Sequence, residues 1–277
     1  MAPHAVAEEA MVANKAEEKP ISTIVIVIAM QEEAVPLVNK FNLSEDLDPV
    51  TSGKVISWNL SICWSFLKES LGSDIMEFTE CWEWDIVSNQ CGGRPLDNDK
   101  NVSLVYCNPR MVMSADQALQ PDLIINAGTA GGFKARGASV GDVYIASDVA
   151  FHDRRIPIPV FDLYGIGARR TFSTPNLLKE LNLKVGKLST GDSLDMSPED
   201  EASITANDAT LKDMEASFLS YLLSVPAIFI KAVTDIIDGD KPTAEEFRQN
   251  LAAVTVELDR LVTQVVDFIS GKCLSEL

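Results

Sequence analysis

The sequence predicts an α/β fold: one domain on a mixed, largely parallel sheet flanked by helices. Three observations carry this. Apolar, β-branched runs of strand length recur without apolar–polar alternation, as strands buried on both faces require. Segments with helical periodicity and helix-start signals stand between them, the alternation typical of α/β architectures. The 277 residues are 46% apolar and 23% charged, an ordinary globular mix rather than a disordered or fibrous one.

Residues 23–30 (TIVIVIAM) form the first apolar run, and a helix follows over about 32–41, with Pro36 tolerated near its first turn. Residues 123–127 (LIINA) are a second buried strand, ending in the glycine loop Gly128-Thr129-Ala130-Gly131-Gly132. Residues 142–149 are a third. Thr174 is placed to cap a helix that has Pro175 at its first position. Residues 183–189 read as a strand, Ser197-Pro198-Glu199-Asp200 opens another helix, and residues 227–234 (AIFIKAVT) are a late buried strand. Thr243 and Glu246 have capping-box spacing. The last helix runs to about Ser270 with Leu251, Val254, Leu258, Leu261, Val265 and Phe268 on one face, and Gly271 suits its stop. No linker or repeat divides residues 21–275, which are expected to form one domain. Residues 1–20, with Glu8, Glu9, Glu17 and Glu18, are expected to be a disordered acidic tail. The rhythm fails over about 53–115. All four tryptophans (Trp58, Trp64, Trp82, Trp84) and four of the five cysteines (Cys63, Cys81, Cys91, Cys107) crowd there, and only residues 102–107 read as a strand.

Lys plus Arg number 23 and Asp plus Glu 41, so the net charge is −18. That balance, without a basic run, disfavours nucleic-acid binding and docking on anionic membranes. No apolar run reaches membrane-spanning length. The N-terminus has no secretory pattern, so a reducing, cytoplasmic location with free thiols is expected. The cysteine spacings match no zinc pattern. Only His4 and His152 are available, and His4 lies in the tail, so a histidine-rich metal site is excluded and a Ser-His-Asp triad would have to use His152.

Ligands of open α/β sheets bind beyond the carboxyl ends of strands. Four features stand at such places or beside them: Glu32 and Glu33 after the first strand, the loop at Gly128–Gly132, Glu215 in Asp213-Met214-Glu215 before a helix, and Asp235 after the late strand. Each alone has a structural explanation. Acids in a first helical turn oppose the helix dipole, short glycine motifs make tight connections, an Asp caps turns, and a Met packs in cores. A lone histidine such as His152 ordinarily serves a loop or an interface.

The combination is more specific. Ile28-Ala29-Met30 with Glu33, then Asn126-Ala127-Gly128-Thr129-Ala130-Gly131-Gly132, then Met214-Glu215, then Phe229-Ile230-Lys231-Ala232-Val233-Thr234-Asp235 resemble, in this order, the purine nucleoside phosphorylase and nucleosidase superfamily. Within it the chain looks like the plant 5′-methylthioadenosine nucleosidases, most closely over residues 141–164 and 173–214. The resemblance covers about 22–50, 116–167, 172–215 and 225–275. It implies a nucleoside phosphorylase-like fold and hydrolysis of the N-glycosidic bond of 5′-methylthioadenosine, in methionine salvage, with no metal or organic cofactor. It also implies roles. Asp235 would protonate adenine N7, for which a raised pKa is needed. Glu33 would activate the attacking water. Glu215 would accept hydrogen bonds from the ribose hydroxyls, Met214 would pack on the sugar, Leu194 on adenine, and Thr129 would approach the sugar. Relatives of this kind are homodimers in which the loop after the His152 segment covers the neighbour's 5′-alkylthio pocket.

The chain departs from the pattern in two places. Over about 54–115 the expected strands and Gly-rich turn have no evident counterpart. After Glu215 the helix reads about three residues short and carries Phe218 and Leu219 where small residues are usual. Altered splicing, a retained intron or a gene-model error would produce such a change. Losing central strands would expose sheet edges or leave gaps, so impaired folding and weak activity are expected. Two rival readings stay open: a phosphorylase using Lys134 and Arg136 for phosphate, and an inactive isoform that binds nucleoside or pairs with an intact subunit.

Overall fold

The computed structural model describes residues 19–45, 87–88, 101–107, 109–156, 158, 165–222 and 225–277. The acidic-tail expectation for residues 1–18 and most of the 54–115 segment, including all four tryptophans, fall outside them.

Strand β1 (Thr23–Ile28) is buried along almost its whole length. It lies between two parallel neighbours, β4 (Asn101–Tyr106) and β5 (Leu123–Gly132). All six residues of β1 pair with β4 in unbroken register. β4 comes from within the atypical segment, as the reading of residues 102–107 anticipated. The exposed edge expected there is therefore covered: β4 in turn pairs with β3 (Val87–Ser88), and β3 with β2 (Ser44–Glu45). A helix that the sequence reading missed, α2 (Pro109–Leu119), follows β4, with Val112 and Ala115 buried.

On its other side β5 pairs in parallel with β10 (Ala227–Ile236) over almost its entire length. β10 runs antiparallel to β6 (Val143–Phe151), β6 parallel to β8 (Lys184–Thr190), and β8 parallel to β9 (Leu211–Asp213). β9 returns antiparallel to the far end of β5. Strands β5, β10, β6, β8 and β9 thus close into a ring, with β1 and β4 as its open extension and β7 (Arg169–Arg170) attached to β6.

The glycines at 128–132 are part of β5, not a loop after it, which corrects the sequence reading. They are there because the strand is crowded on both sides. A Cβ on Gly132 would stand 2.8 Å from Ala138 Cβ and 2.8 Å from Val233 Cγ1.

Helix α1 (Gln31–Lys40) starts directly after β1 and buries Glu33, Ala34 and Leu37. Helix α3 (Pro175–Leu181) has Thr174 at its N-cap, but the Thr174 hydroxyl makes no cap bond and is buried without a partner. Helix α4 (Pro198–Ala206) is capped as expected: Ser197 Oγ accepts Asp200 N–H at 3.2 Å and Asp200 accepts Ser197 N–H at 2.8 Å. The short α5 (Ala216–Leu222) follows Glu215, and Leu219 is fully buried in it.

The closing helix α6 (Thr243–Ile269) buries Val254, Leu258, Leu261, Val262, Val265 and Ile269 against β10, β5 and α1, each contributing about 1.5–3 kcal/mol relative to exposure. Gly271 stops the chain after it at φ 76°. The capping box expected at Thr243 is not used. Pro242 is the N-cap, and Glu246 turns instead to β10, accepting Ile236 N–H at 2.8 Å. Among the described residues no helix is long and apolar enough to cross a membrane.

Overpacking at a buried position costs about 1–3 kcal/mol. Gly132→Ala is therefore expected to lower the melting temperature by about 2–10 °C in a thermal unfolding scan. An unchanged midpoint would show that the β5–β10 contact is looser than described.

Candidate active site

The site is built where β5 changes partners. β1 pairs with β5 as far as Asn126, and β9 takes over the same edge at Gly131. Between them this edge has no strand neighbour among the described residues, and Glu33 fills the gap. Thr129 donates its backbone N–H (2.7 Å) and its hydroxyl (2.8 Å) to Glu33 Oε1, and Met30 N–H donates to Oε2 at 3.1 Å. The first turn of α1 holds the acid there, 2% exposed. Burial pushes its pKa up, while Lys231 and the Thr129 hydrogen bonds pull it down.

Lys231 lies opposite Gly128 in the β5–β10 ladder and is 1% exposed. A Cβ on Gly128 would stand 3.3 Å from its ammonium and 3.5 Å from Glu33, so the missing side chain lets the two approach. Lys231 Nζ donates to Asp213 Oδ2 at 2.9 Å and to Glu215 Oε2 at 3.1 Å. Burial opposes its charge, but Asp213, Glu215 and Glu33 outweigh burial and hold its pKa above the ordinary lysine value. Asp213 is fixed in turn. Its Oδ1 accepts the Thr190 hydroxyl at 2.6 Å, and its Oδ2 accepts Ala216 N–H at 3.0 Å, which ties the start of α5 to β9. Glu215 is pushed up to about 7, first by burial and then by Asp213 and Glu33, against the pull of Lys231. Cys107, at the end of β4, lies in the same charge field, and burial with Glu215 beside it pushes its thiol well up. The atypical segment therefore delivers a residue to the site.

Asp235 stands farther along β10, 6% exposed. A bulge at Thr234 shifts the register, so Asp235 pairs with Gly131 rather than Gly132. Without that extra residue its side chain would point to the other face of the sheet. The Thr234 hydroxyl donates to Asp235 Oδ1 at 2.8 Å. Burial pushes the Asp235 pKa up; the Thr234 bond and Lys212 oppose this, and Glu246 adds to it.

Leu194 is 42% exposed on the stretch between β8 and α4. Its carbonyl and that of Ser193 are held by Lys212 Nζ, at 2.9 and 2.7 Å. Met214 is half-buried between Asp213, the last residue of β9, and Glu215, just before α5. The structure thus joins Glu33 to Thr129 directly and Glu215 to both through Lys231. Asp235, farther along β10, and Leu194, on the loop after β8, are linked through Lys212, which holds the Leu194 carbonyl and lies in the charge field of Asp235.

His152 is no triad base. It is buried, its Nδ1 sits 3.2 Å from Ser189 Oγ, and Ser189 itself has no exposure. Burial, with Lys212 nearby, pushes its pKa down to about 4. A Cβ on Gly191 would overlap its ring, so the loop leaving β8 rests on the imidazole. Lys134 and Arg136, the phosphate ligands of the phosphorylase reading, are exposed at the end of β5, and Arg136 pairs with Asp208.

Sequence reasoning gave no role to Lys231, Asp213, Lys212 or Thr190. One signal was available: a lysine in the middle of AIFIKAVT has to be buried, and a buried ammonium needs carboxylate partners.

Residues 90–267 match the family model described as the phosphorylase superfamily. A 5′-methylthioadenosine/S-adenosylhomocysteine nucleosidase of Arabidopsis thaliana is 53% identical over 271 residues, covering 96% of this chain and 99% of its own length. A 5′-methylthioadenosine nucleosidase of the same plant is 54% identical over 264 residues, 94% of this chain and 91% of its own. The apo structure of an Arabidopsis thaliana 5′-methylthioadenosine nucleosidase superposes with a TM-score of 0.75 at 48% identity, covering 94% of this chain and all of the other. An alignment over 96% of the chain runs through residues 54–115, so the expected impairment from a foreign segment finds no support. The nucleosidase-like fold, the order of the motifs and these relatives agree: the chain belongs to the phosphorylase superfamily, in the group of the plant 5′-methylthioadenosine nucleosidases.

Proposed function

We propose that this protein hydrolyses the N-glycosidic bond of 5′-methylthioadenosine, releasing adenine and 5-methylthioribose. The observation that carries the reading is the pair of buried acids at the two ends of one strand junction: Glu33 at Thr129 and Asp235 at Gly131. Glycosidic cleavage passes through an oxocarbenium-like state. It needs a proton on the departing base and a water aimed at the anomeric carbon.

Asp235 is the acid. Burial favours its protonated form, which can donate to adenine N7. Glu33 is the base that orients and deprotonates the water. Glu215 accepts from the ribose hydroxyls, with Lys231 keeping it able to ionise although burial lifts it to about 7. Met214 packs on the sugar, Leu194 on the purine, and Thr129 borders the sugar while it fixes Glu33. We propose a cytoplasmic homodimer, the loop after His152 covering the neighbour's 5′ pocket. Sedimentation should give about twice the 30.2 kDa chain mass; a monomer with full activity would refute the shared pocket.

An adenine-release assay tests the chemistry. Asp235→Asn and Glu33→Gln are each expected to lower kcat by about 10²–10⁴-fold, the usual scale for a lost acid or base. Equal activity of wild type and Asp235→Asn would overturn the assignment. The pH profile has a definite sign. Activity falls as pH rises and Asp235 loses its proton, and falls as pH drops and Glu33 gains one. Both acids are raised, so each limb should lie above the ordinary value of the carboxyl that sets it.

Lys231→Met leaves Asp213, Glu215 and Glu33 without their shared cation. Breaking such a buried cluster costs about 3–5 kcal/mol. The variant should unfold at lower denaturant and bind substrate more weakly; wild-type stability would mean the lysine is dispensable.

A further inference from the structure

The Asp235 carboxyl has two buried charged neighbours of opposite sign that the mechanism above does not use. Lys212 is on β9 and pairs with Gly131 on one side; Asp235 pairs with the same glycine on the other. Residues level with one another on adjacent strands share a face, and Gly131 puts no side chain between them. A Cβ there would lie 3.1 Å from Asp235 Oδ2. Lys212 is 5% exposed, and its hydrogen bonds go to two consecutive backbone carbonyls, Ser193 and Leu194. Burying an ammonium to hold carbonyls is costly, and what it secures is the loop that carries Leu194.

Glu246 is 9% exposed on α6. Its Oε2 takes the N–H of Ile236, next in the chain to Asp235, and Asn250 Nδ2 donates to Thr234 O at 2.8 Å on the preceding side. The strand end is thus held to α6 on both sides of the acid.

We propose that Lys212 and Glu246 are positioning residues for the base-binding end of the site, Lys212 pinning the loop at Ser193 and Leu194 and Glu246 pinning the strand end at Ile236, with the Asp235 carboxyl held between their opposite charges. The inference rests on Asp235 being the proton donor. The charged and titratable groups around the acid are Lys212 from β9, Glu246 from α6 and, on its own strand, the Thr234 hydroxyl. Lys212 itself faces Asp213, Asp195, Asp153 and His152, and Glu246 lies 3.9 Å from Lys241. A cation beside Asp235 favours its carboxylate and an anion its protonated form. Removing the two charges must therefore move the acid in opposite directions.

The test is the alkaline limb of kcat/KM for 5′-methylthioadenosine, with Asp235→Asn as reference. Lys212→Met should shift the limb to higher pH and raise KM at least tenfold, with a smaller change in kcat; Lys212→Arg should restore part of both. Glu246→Gln keeps an acceptor for Ile236 N–H but loses the charge, and should shift the limb to lower pH. Should Lys212→Met fail to fold, Lys212→Gln keeps donors for the two carbonyls and must show the same limb shift. Limbs that stay put, or move the same way in both variants, overturn the inference while leaving the acid assignment intact. Full activity of Asp235→Asn overturns the acid assignment first, and this inference with it.

Discussion

One buried ammonium organises the protein. Lys231 sits in the middle of a fully buried strand with Asp213 and Glu215 at hydrogen-bond distance and Glu33 beside it. Three acids, Glu33 from α1 and Asp213 and Glu215 from the β9–α5 junction, cannot share a dry pocket without a cation. The cation could not be buried without them. The cluster therefore ties α1, the β9–α5 junction and β10 to one another. In the proposed reaction the same cluster supplies the sugar's acceptor, Glu215, and the base, Glu33. Asp213 has no role in the proposed chemistry, yet it carries the arrangement, because it holds Lys231 on one oxygen, Thr190 on the other, and the first N–H of α5 as well.

The cleft itself is a consequence of sheet closure. β5 is long enough to serve two neighbours on one edge, β1 along its first half and β9 at its end. Where they part, backbone N–H groups are free to meet side chains, and the Thr129 N–H goes to Glu33. A ring of five strands with an open extension creates that fork as a matter of topology. Glycines at 128, 131 and 132 permit the crowding around it, since a side chain at each would meet Lys231, Ile237 and Asp235, or Val233. The bulge at Thr234 completes the geometry by aiming Asp235 to the face that Gly131 leaves open.

Most of the framework was legible in the residues. Continuous apolar runs marked β1, β5 and β10, residues 183–189 read as the strand that became β8, and Ser197-Pro198 with Asp200 marked the start of α4, because these signals are local. Other features were misread because their partners are distant in sequence. Thr243 and Glu246 have the spacing of a capping box, but Glu246 finds a better donor in Ile236 across the helix–strand contact. Gly128–Gly132 looks like a turn, yet its glycines serve strands packed closely on both sides. The segment rich in Trp and Cys looked foreign to the fold, but β4 emerges from it in full register with β1, and Cys107 reaches the charge cluster.

The sequence by itself determined the α/β class and, through the order of its short motifs, the family, and it singled out Glu33, Glu215 and Asp235 as candidate site acids, since strand-length apolar runs and ordered motifs are properties of the chain read linearly. Only the tertiary structure decided how those acids are kept. Glu33 and Thr129 are 96 positions apart yet share a hydrogen bond, and Lys231 reaches Glu215 across 16. Lys212 and Asp235 flank one glycine from opposite strands. Burial and Coulomb interaction depend on distance in space, and strand pairing, a bulge and sheet closure set those distances in ways no local pattern encodes.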